Sequence, residues 1–451
     1  MNRRLMLSSS IAALMTGLGV EPLAAQKNRK PNFIVILCDD LGFGDIEPFG
    51  NKFLKTPNLT RMAREGIALT DYYAPANICT PSRAGLLTGR YPIRTGLGWN
   101  VILADDHRGL PLSEVTIGNA LKPDYATALI GKWHLGHVAP YWPPTRHGFD
   151  YFFGLPYSHD ISPLSLYEAR GEEIRTVEEK VDYPRLQQHF CESAEAFIDA
   201  NKDRPFFLEL ALSAPHLPEY PNDGFKGKTQ IGPYGDVVEE IDSIVGRIRT
   251  RLEKHGLARD TLVVFTSDNG PWYEGSTNGL RDRKASGAWD GASRVPFIAW
   301  QPGTVPAGQR TSSLAMGIDL LPTFCAMAKI APPKGVKLDG LDITPILTGG
   351  GSSPHSSILL FNDEDIAGIR TDRWKLVMQT YYRNNTTALE QRGYPQLYDL
   401  KLDPSESYNV AALHPEVFQS LMKQWEDARK EFEPIRTHPT VMTNRPPPHQ
   451  D

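Results

Sequence analysis

The sequence has few cysteines, no excess of basic residues and no long apolar run after its N-terminal region. Only 4 of its 451 residues are cysteine, which excludes a small secreted fold held together by disulfides. The 48 Lys and Arg residues are outnumbered by 53 Asp and Glu residues, for a formal net charge of −5. This balance excludes a nucleic-acid binder that depends on a globally basic surface, so any anion must be bound by a local basic cluster. No later segment is predicted to span a membrane.

The first 26 residues have the pattern of a secretory signal peptide. Arg3 and Arg4 form a basic start, residues 11–20 form a short apolar core, and Leu23-Ala24-Ala25 resembles a cleavage region. We therefore predict that the protein is exported, to the periplasm or the medium. Export permits disulfides, but Cys38 ends an apolar run and is predicted to be a buried thiol, so disulfides are expected to be incidental to the fold.

Short apolar runs recur along the chain, and each of them ends in polar residues. The runs are residues 33–37, 127–130, 206–212 and 262–266. Their length and aliphatic content predict buried strands. Apolar residues at helical spacing between Val237 and Leu252 predict a helix that ends at Gly256. The alternation predicts an α/β fold with helices on both faces of a large sheet. Ligands of such sheets bind at the carboxyl ends of the strands, so the polar residues there predict one composite active site.

The composition changes near residue 350, where a Gly- and Ser-rich segment predicts a linker or turn. The apolar segments after it predict a smaller sheet with strands at residues 358–361, 368–377 and 396–400. Residues 416–432 predict a helix, and the Pro-rich tail from Pro434 predicts an extended chain. We accordingly predict a catalytic domain over residues 27–354 and a C-terminal subdomain with its tail over residues 355–451.

The segment from Cys79 to Arg90 is the most informative part of the sequence. Thr80 is a candidate helix cap and Pro81 suits the first turn, so Cys79 is expected just ahead of a helix N-terminus. Free backbone N–H groups and the positive dipole end favour an anion there, and Arg83 adds a cation one turn later. The spacing alone leaves two interpretations of Cys79, a buried structural thiol and a reactive residue.

Two polar pairs that follow predicted strands, Asp39-Asp40 and Asp268-Asn269, offer only oxygen donors. Ca²⁺ and Mg²⁺ prefer such ligands, although each pair alone is also typical of a turn or a helix cap. Together at two strand ends, the pairs favour a metal site. In Gly-Lys-Trp-His, a continuing strand would place Lys132 and His134 on one face. The structural alternative for these two is a solvated lysine and a histidine at the edge of the core.

The run Cys-Thr-Pro-Ser-Arg at residues 79–83, followed by Leu-Thr-Gly-Arg at residues 87–90, resembles the signature of the type I sulfatases. The similarity extends over residues 31–415 and is greatest to the branch of arylsulfatase A and N-acetylgalactosamine-6-sulfatase. It implies an alkaline-phosphatase-like fold, with a large mixed sheet flanked by helices and a smaller C-terminal antiparallel sheet plus helix. It also implies a sulfuric ester hydrolase in which a maturase oxidises Cys79 to Cα-formylglycine, whose hydrate is the nucleophile.

The resemblance further implies a set of site residues. One divalent cation, usually Ca²⁺ with Mg²⁺ as the alternative, is bound by Asp39, Asp40, residue 79, Asp268 and Asn269. The implied catalytic residues are Cys79, Arg83, Lys132, His134, His216, Asp268 and Lys284. The implied substrate-binding residues are Lys132, Ser158, His216 and Lys284. By analogy the two lysines bind sulfate, His216 faces the leaving group, and His134 assists turnover of the hydrate.

These residues predict hydrolysis of a sulfate ester, with a sulfated carbohydrate as the expected substrate. The alternatives are a small-molecule arylsulfatase, a phosphatase or phosphodiesterase of the same superfamily, and a non-catalytic binder of sulfated glycans. A two-zinc phosphatase site needs several histidine ligands, whereas Asn269 stands where zinc would favour histidine. The full set of polar residues argues against a non-catalytic binder.

Overall fold

A ten-stranded mixed sheet forms the centre of the fold in the computed structural model, which describes residues 29–382, 385–389 and 393–439. With strands numbered in chain order, the sheet order is Gln309–Thr311 (β11), Ile67–Leu69 (β2), Phe297–Trp300 (β10), Thr261–Ser267 (β9), Asn32–Asp39 (β1), Phe206–Pro215 (β8), Ala126–Lys132 (β4), Tyr151–Leu155 (β5), Leu166–Arg170 (β6) and Glu173–Glu178 (β7). The four predicted runs form β9, β1, β8 and β4. These strands are neighbours and run parallel, which confirms the predicted α/β sheet.

Successive residues of the central strands point to opposite faces, and both faces are buried. Ile34 and Ile36 of β1 belong to the core on one face, and Phe33 and Val35 belong to the core on the other. The helices that cover the first face are Pro57–Arg64 (α1), Tyr183–Asn201 (α4) and Pro233–Lys254 (α5). The helices that cover the second face are Cys79–Thr88 (α2), Ile117–Leu121 (α3), Leu320–Ala328 (α7) and Thr344–Leu347 (α8). The helix predicted to end at Gly256 is α5.

A four-stranded antiparallel sheet lies near the C-terminus and packs against a long helix. Its strands, in sheet order, are Ile358–Asn362 (β13), Asp365–Arg370 (β14), Trp374–Val377 (β15) and Gln396–Asp399 (β18), and the helix is Pro415–Phe432 (α9). The single strand predicted over 368–377 is wrong, because Thr371 N donates to Trp374 O at 2.8 Å and turns the chain between β14 and β15. The smaller C-terminal antiparallel sheet and its helix are confirmed.

Short elements complete the described fold. Tyr72–Tyr73 (β3) pairs with Ala315–Met316 (β12), Gln379–Tyr382 (β16) pairs with Asn385–Ala388 (β17), and Asp290–Ser293 (α6) is a single turn of helix. All four cysteines are buried free thiols. In the described ranges, no helix has both the length and the apolar character that a membrane crossing requires. The predicted signal peptide at residues 1–26 lies outside the described residues, and the domain boundary at residue 354 stays a prediction.

Candidate active site

The carboxyl ends of four parallel strands bring the predicted polar residues to one edge of the sheet. Asp39 is the last residue of β1, Lys132 is the last residue of β4, and His216 directly follows β8. Asp268 directly follows β9 and is completely buried. Because these strands are neighbours, side chains that are far apart in the sequence form one cluster.

Cys79 lies at the start of α2 and faces this cluster. Its Sγ atom is 3.5 Å from Asp39 Oδ1 and 3.4 Å from Lys284 Nζ. Lys284 comes from the loop between β9 and α6, so this loop also contributes to the site. The side chain of Cys79 is 1% exposed, which places it inside the cluster and away from solvent.

The predicted helix cap at Thr80 is wrong. Helix α2 begins at Cys79 itself, and the residue before it, Ile78, provides no side-chain cap. The Thr80 hydroxyl instead donates to His134 O at 2.9 Å and accepts from Ile102 N at 3.1 Å. The first bond ties the start of α2 to the segment that follows β4, and the second ties it to the segment between α2 and α3. Residue 79 belongs to the first helical turn.

Three buried carboxylates and Cys79 form a group that suits a metal ion. Ligand atoms of Asp39, Asp40, Cys79 and Asp268 all lie within 4.8 Å of one another. Asn269 donates through Nδ2 to Asp40 Oδ1 at 2.7 Å. Its Oδ1 atom is buried and has no hydrogen-bond partner among the residues that the structure describes. An orphaned amide oxygen beside three crowded carboxylates is the donor set that a hard divalent cation prefers, so these residues fit the implied ion.

Two lysines pair with the first two carboxylates. Lys132 Nζ is 2.7 Å from Asp39 Oδ2, and neither side chain has exposed surface. Lys284 Nζ is 2.7 Å from Asp40 Oδ1, with 11% of the Lys284 side chain exposed. Positive charge is thus held directly beside the thiol of Cys79, in the place where an anionic group would be bound.

Arg83 connects the third carboxylate to the end of β4. Its guanidinium lies 2.9 Å from Asp268 Oδ2 through Nε and 2.8 Å through Nη2. Its Nη1 atom donates to Lys132 O at 2.9 Å. The hydrogen bond from Nε and the ion pair at Nη2 hold Asp268 in one orientation, and the bond from Nη1 anchors the guanidinium to the end of β4.

Burial and neighbouring charges set the protonation of the cluster. Burial alone would raise the pKa of Asp39, but Lys132 and the other cations around it hold that pKa well below its usual range. Burial raises the pKa of Asp268 to about 6, although Arg83 acts in the opposite direction. Burial also raises the pKa of the Cys79 thiol to about 12. The unmodified thiol is therefore protonated at neutral pH and is a poor nucleophile.

The two histidines are held by backbone carbonyls. His134 has φ 61°, outside the strand that ends at Lys132, so the predicted shared strand face is wrong. Its Nε2 donates to Ile102 O at 2.9 Å, and its buried Nδ1 has no partner in the described part of the chain. His216 Nδ1 donates to Leu217 O at 2.6 Å, and its Nε2 lies 3.6 Å from Asp40 Oδ2.

Ser158 is buried at the same edge of the sheet, three residues after the end of β5. Its hydroxyl is buried and has no hydrogen-bond partner among the described residues. The next residue, His159, was not singled out from the sequence. Its ring packs edge-on against the ring of His216, with centroids 5.5 Å apart, and against Tyr220 at 5.9 Å. Its place directly after the predicted substrate-binding residue Ser158 is the sequence feature that could have indicated it.

The fold and this cluster define a class of protein, an α/β enzyme whose buried carboxylates suit a divalent cation and whose cations suit an anionic group. The chain belongs to the sulfatase family, whose model matches residues 31–330. The model of the C-terminal region of N-sulphoglucosamine sulphohydrolase also matches, over residues 282–431. The family predicted from the sequence is thereby confirmed.

Known sulfatases resemble the chain over most of its length. It is 37% identical to human arylsulfatase A over 462 aligned residues, which cover 92% of this chain and 89% of that protein. It is 37% identical to dog N-acetylgalactosamine-6-sulfatase, over 89% of this chain and 85% of that protein. The crystal structure of the PsFucS1 sulfatase from Pseudoalteromonas sp. matches with a TM-score of 0.83 and 28% identity over 92% of both chains. The protein is a sulfuric ester hydrolase with an alkaline-phosphatase-like fold.

Proposed function

We propose that this sulfatase hydrolyses the sulfate ester of a sulfated carbohydrate, using a formylglycine hydrate that is made from Cys79. The observation that carries the proposal is the position of Cys79, which is buried in the first turn of α2 between Asp39 and Lys284. A thiol with a pKa of about 12 is a weak nucleophile in this place. Oxidation by a maturase would replace it with an aldehyde, whose hydrate supplies a hydroxyl nucleophile.

Asp268 and Arg83 are the residues that we assign to activation of the nucleophile. A carboxylate with a pKa of about 6 is close to the range in which a general base works best at neutral pH. The guanidinium of Arg83, 2.8 Å from Asp268 Oδ2, keeps that carboxylate aimed into the cluster. Asp268 accordingly accepts the hydroxyl proton as the oxygen attacks sulfur.

Lys132 and Lys284 are assigned to the sulfate group. Both ammonium groups point into the cluster, and they are pre-positioned by their 2.7 Å contacts with Asp39 and Asp40. Fixed cations in a buried site stabilise charge that grows in a transition state, and this effect is usually the largest single contribution to catalysis. Ser158 remains a proposed substrate contact.

The metal ligands that we propose are Asp39, Asp40, residue 79, Asp268 and Asn269, around one Ca²⁺ or Mg²⁺. The unpaired Asn269 Oδ1 and the crowded carboxylates support this set. When bound, such a cation would neutralise negative charge on the sulfate group and on the nucleophile.

The histidines are assigned to proton transfer. His216 protonates the departing alcohol oxygen, because its Nδ1 is held by Leu217 O and its Nε2 faces the cluster at Asp40. His134 accepts a proton during turnover. Because its Nε2 donates to Ile102 O, its Nδ1 carries the lone pair that takes the proton. Burial holds the pKa of its ring well below the usual range, so the ring is neutral before that step.

A carbohydrate substrate and an exported enzyme are supported by three further points. One relative is named for a sugar sulfate, N-acetylgalactosamine-6-sulfatase. The N-terminal sequence has the pattern of a secretory signal, which would place the enzyme where external polysaccharides occur. The mild net charge of −5 suits a discrete sulfate site more than a broad track for a polyanion.

Peptide mass spectrometry of active, natively produced enzyme tests the nucleophile. We expect the peptide with residue 79 to carry –CHO in place of –CH₂–SH, and we expect Cys79→Ala to release no sulfate while keeping its fold. Cys325→Ala, which alters another buried thiol away from the cluster, is the matched control and should keep its activity. Fully active enzyme with only a thiol at residue 79 would contradict the proposal.

A further inference from the structure

A groove with a volume of about 560 Å³ lies beside the cluster, between residues 44–54 and residues 273–283. Two aromatic side chains on its walls are largely open to solvent. Phe53 is 78% exposed and Tyr273 is 72% exposed. Large apolar rings in contact with water are unfavourable unless a ligand covers them in the working state.

The groove opens at the same edge of the sheet as the cluster. Tyr234, in the first turn of α5, contributes to its wall. Helix α5 precedes β9 and packs on the face of the sheet, so its N-terminus lies at the edge where β9 ends and Asp268 begins. The groove and the sulfate-binding residues therefore face the same side of the molecule.

Both walls of the groove are continuous with residues of the cluster. Arg283 lines the groove and directly precedes Lys284, so their Cα atoms are about 3.8 Å apart. Gly44 follows Asp40 by four residues, a separation of at most about 15 Å along the chain. When the sulfate of one sugar ring is bound at Lys284, the adjacent ring of the glycan can reach this groove along the protein surface.

The aromatic walls are fixed by local contacts. Arg283 Nη1 donates to Trp272 O at 2.8 Å, and the ring of Trp272 packs edge-on against Tyr273 at 4.9 Å. On the opposite wall, Asn51 Oδ1 accepts from Phe53 N at 2.8 Å. Rings on supported loops can stack on a ligand with little loss of conformational entropy.

The remaining lining residues suit the edges of a sugar. Ser276 and Asn278 bring a hydroxyl and an amide group to the groove, and its charges are mixed, with Lys52 and Arg283 against Glu274. A sugar ring presents C–H bonds on its faces and hydroxyl groups at its edges, which matches aromatic walls with polar groups between them. A strongly acidic or basic ligand has no such match here.

We propose that this groove binds a second sugar ring of the glycan, next to the ring that carries the sulfate, by stacking on Phe53 and Tyr273. The inference rests on the proposed carbohydrate function and extends it. Binding of this second ring makes the enzyme selective for a sulfated sugar within an oligosaccharide over the free sulfated monosaccharide.

The test compares kcat/KM for two substrates, the sulfated monosaccharide that the wild type hydrolyses fastest in a screen and the tetrasaccharide that carries the same sulfated ring. We expect the double variant F53A/Y273A to lose about tenfold or more on the tetrasaccharide and to keep its rate on the monosaccharide, because contacts far from sulfur act only when the second ring is present. Tyr408→Ala, at an aromatic side chain that is 75% exposed outside the groove, is the matched control and should change neither value.

Three results would overturn the inference. The first is an equal loss on both substrates, and the second is no loss on either. The third is a change of oligomeric state in sedimentation velocity on F53A/Y273A, which would make the groove a contact between copies of the chain. A wild type that hydrolyses aryl sulfates but no sulfated sugar would refute the carbohydrate assignment itself. A wrong carbohydrate assignment is therefore seen in the substrates of the wild type, whereas a wrong assignment of the groove is seen only in the comparison of the variant with the wild type.

Discussion

The burial and ion pairing of Lys132 depend on its surroundings in the fold and not on its local sequence. From the sequence, a solvated lysine was one interpretation, yet its side chain has no exposed surface and pairs with Asp39 at 2.7 Å. A buried ammonium without a partner costs several kcal/mol, and so does a buried carboxylate. Each of the two residues therefore depends on the other, and the pair fixes positive charge beside residue 79.

At the same scale, His216→Ala tests the proposed proton donor. We expect kcat/KM to fall about 100-fold or more, because general acid catalysis by a positioned histidine contributes that much. The loss should be larger for an alkyl sulfate than for a nitrophenyl sulfate, since only the poor leaving group needs the proton. His107→Ala, at an exposed histidine, is the matched control. Equal losses on both esters together with a lower Tm would indicate a structural role instead.

Glu209 makes a prediction about pH. It lies in the middle of β8 and is only 2% exposed, its Oε2 has no hydrogen-bond partner among the described residues, and burial raises the pKa of its carboxyl from 4.5 to about 7. Because the pKa is higher in the folded state, ionisation favours the unfolded chain. The wild type is therefore free of this cost below about pH 4.5 and bears all of it above about pH 7.

Glu209→Gln removes the ionisable group and keeps its shape. Relative to the wild type, the variant should gain free energy of unfolding as pH rises from 4.5 to 7, by up to about 3 kcal/mol. Denaturant unfolding of both proteins at several pH values measures this difference. Glu172→Gln, at a side chain that is 84% exposed, should show no such pH trend. A constant difference between Glu209→Gln and the wild type would contradict the prediction.

At the scale of elements, the sequence predicted the central strands well because each is a short run buried on both faces. The order β9, β1, β8, β4 was beyond the sequence, since register and neighbours depend on packing. The antiparallel strands β6 and β7 escaped prediction, because the residues of β7 are mostly exposed and carry no apolar pattern. Helix α4 was missed in the same divergent stretch.

The candidate site was predictable to the extent that it depends on strand ends. Asp39 and Asp268 converge because β1 and β9 are parallel neighbours. Lys284 belongs to a loop, where no periodic pattern indicates its position, and only the family motif suggested it. The local details at Thr80 and His134 were wrong for one shared reason, since a contact between the two segments replaced the expected cap and ended the expected strand.

The small sheet makes its own prediction through Lys375 in β15. This buried lysine pairs with Asp290 of α6 and lies 2.8 Å from Glu406, with no exposed surface on any of the three side chains. Lys375→Met keeps the apolar stem but leaves the buried Glu406 without its cation and Asp290 with only its pair to Arg294, which should cost about 3–5 kcal/mol. The expected result is a clearly lower Tm.

The matched control for Lys375→Met is Lys423→Met on α9, where the lysine forms an exposed pair with Asp427. Exposed pairs contribute little to stability, so the Tm of this variant should stay at the wild-type value. Equal melting temperatures for all three proteins would mean that the buried triad does not hold the small sheet against α6.

At the scale of the whole molecule, the C-terminal part supports the loop that carries Lys284. Arg281, three residues before Lys284, donates to Glu406 O and lies over the ring of Trp289 at 3.7 Å. The amide of Asp290 donates to the Glu406 carboxylate at 2.9 Å. Arg281 within the loop and Asp290 directly after it are therefore tied to the same residue near the small sheet, so the position of Lys284 depends on contacts made by both parts of the chain.

The crowding of Asp39, Asp40 and Asp268 leads to the last prediction, which concerns metal removal. Three buried carboxylates within 4.8 Å repel one another, and the unpaired Asn269 Oδ1 lies among them. A bound divalent cation should stabilise the fold by about 2.7 kcal/mol when its concentration is 100 times its Kd. We therefore expect a chelator to lower both Tm and sulfate release, and added Ca²⁺ to restore both.

Elemental analysis and a pair of variants complete this test. The enzyme as isolated should hold one hard cation per chain, and Asn269→Ala should show a much smaller change of Tm on chelation because it removes a proposed ligand. Asn201→Ala, at the end of α4 where Asn201 Nδ2 donates to Phe197 O at 2.9 Å, should respond like the wild type. Two zinc ions per chain would instead favour the chemistry of a phosphatase, since paired zinc sites clamp the oxygens of a phosphoryl group. No response of Tm to the chelator in any of the three proteins would mean that the carboxylates are balanced by Lys132, Lys284 and Arg83 alone.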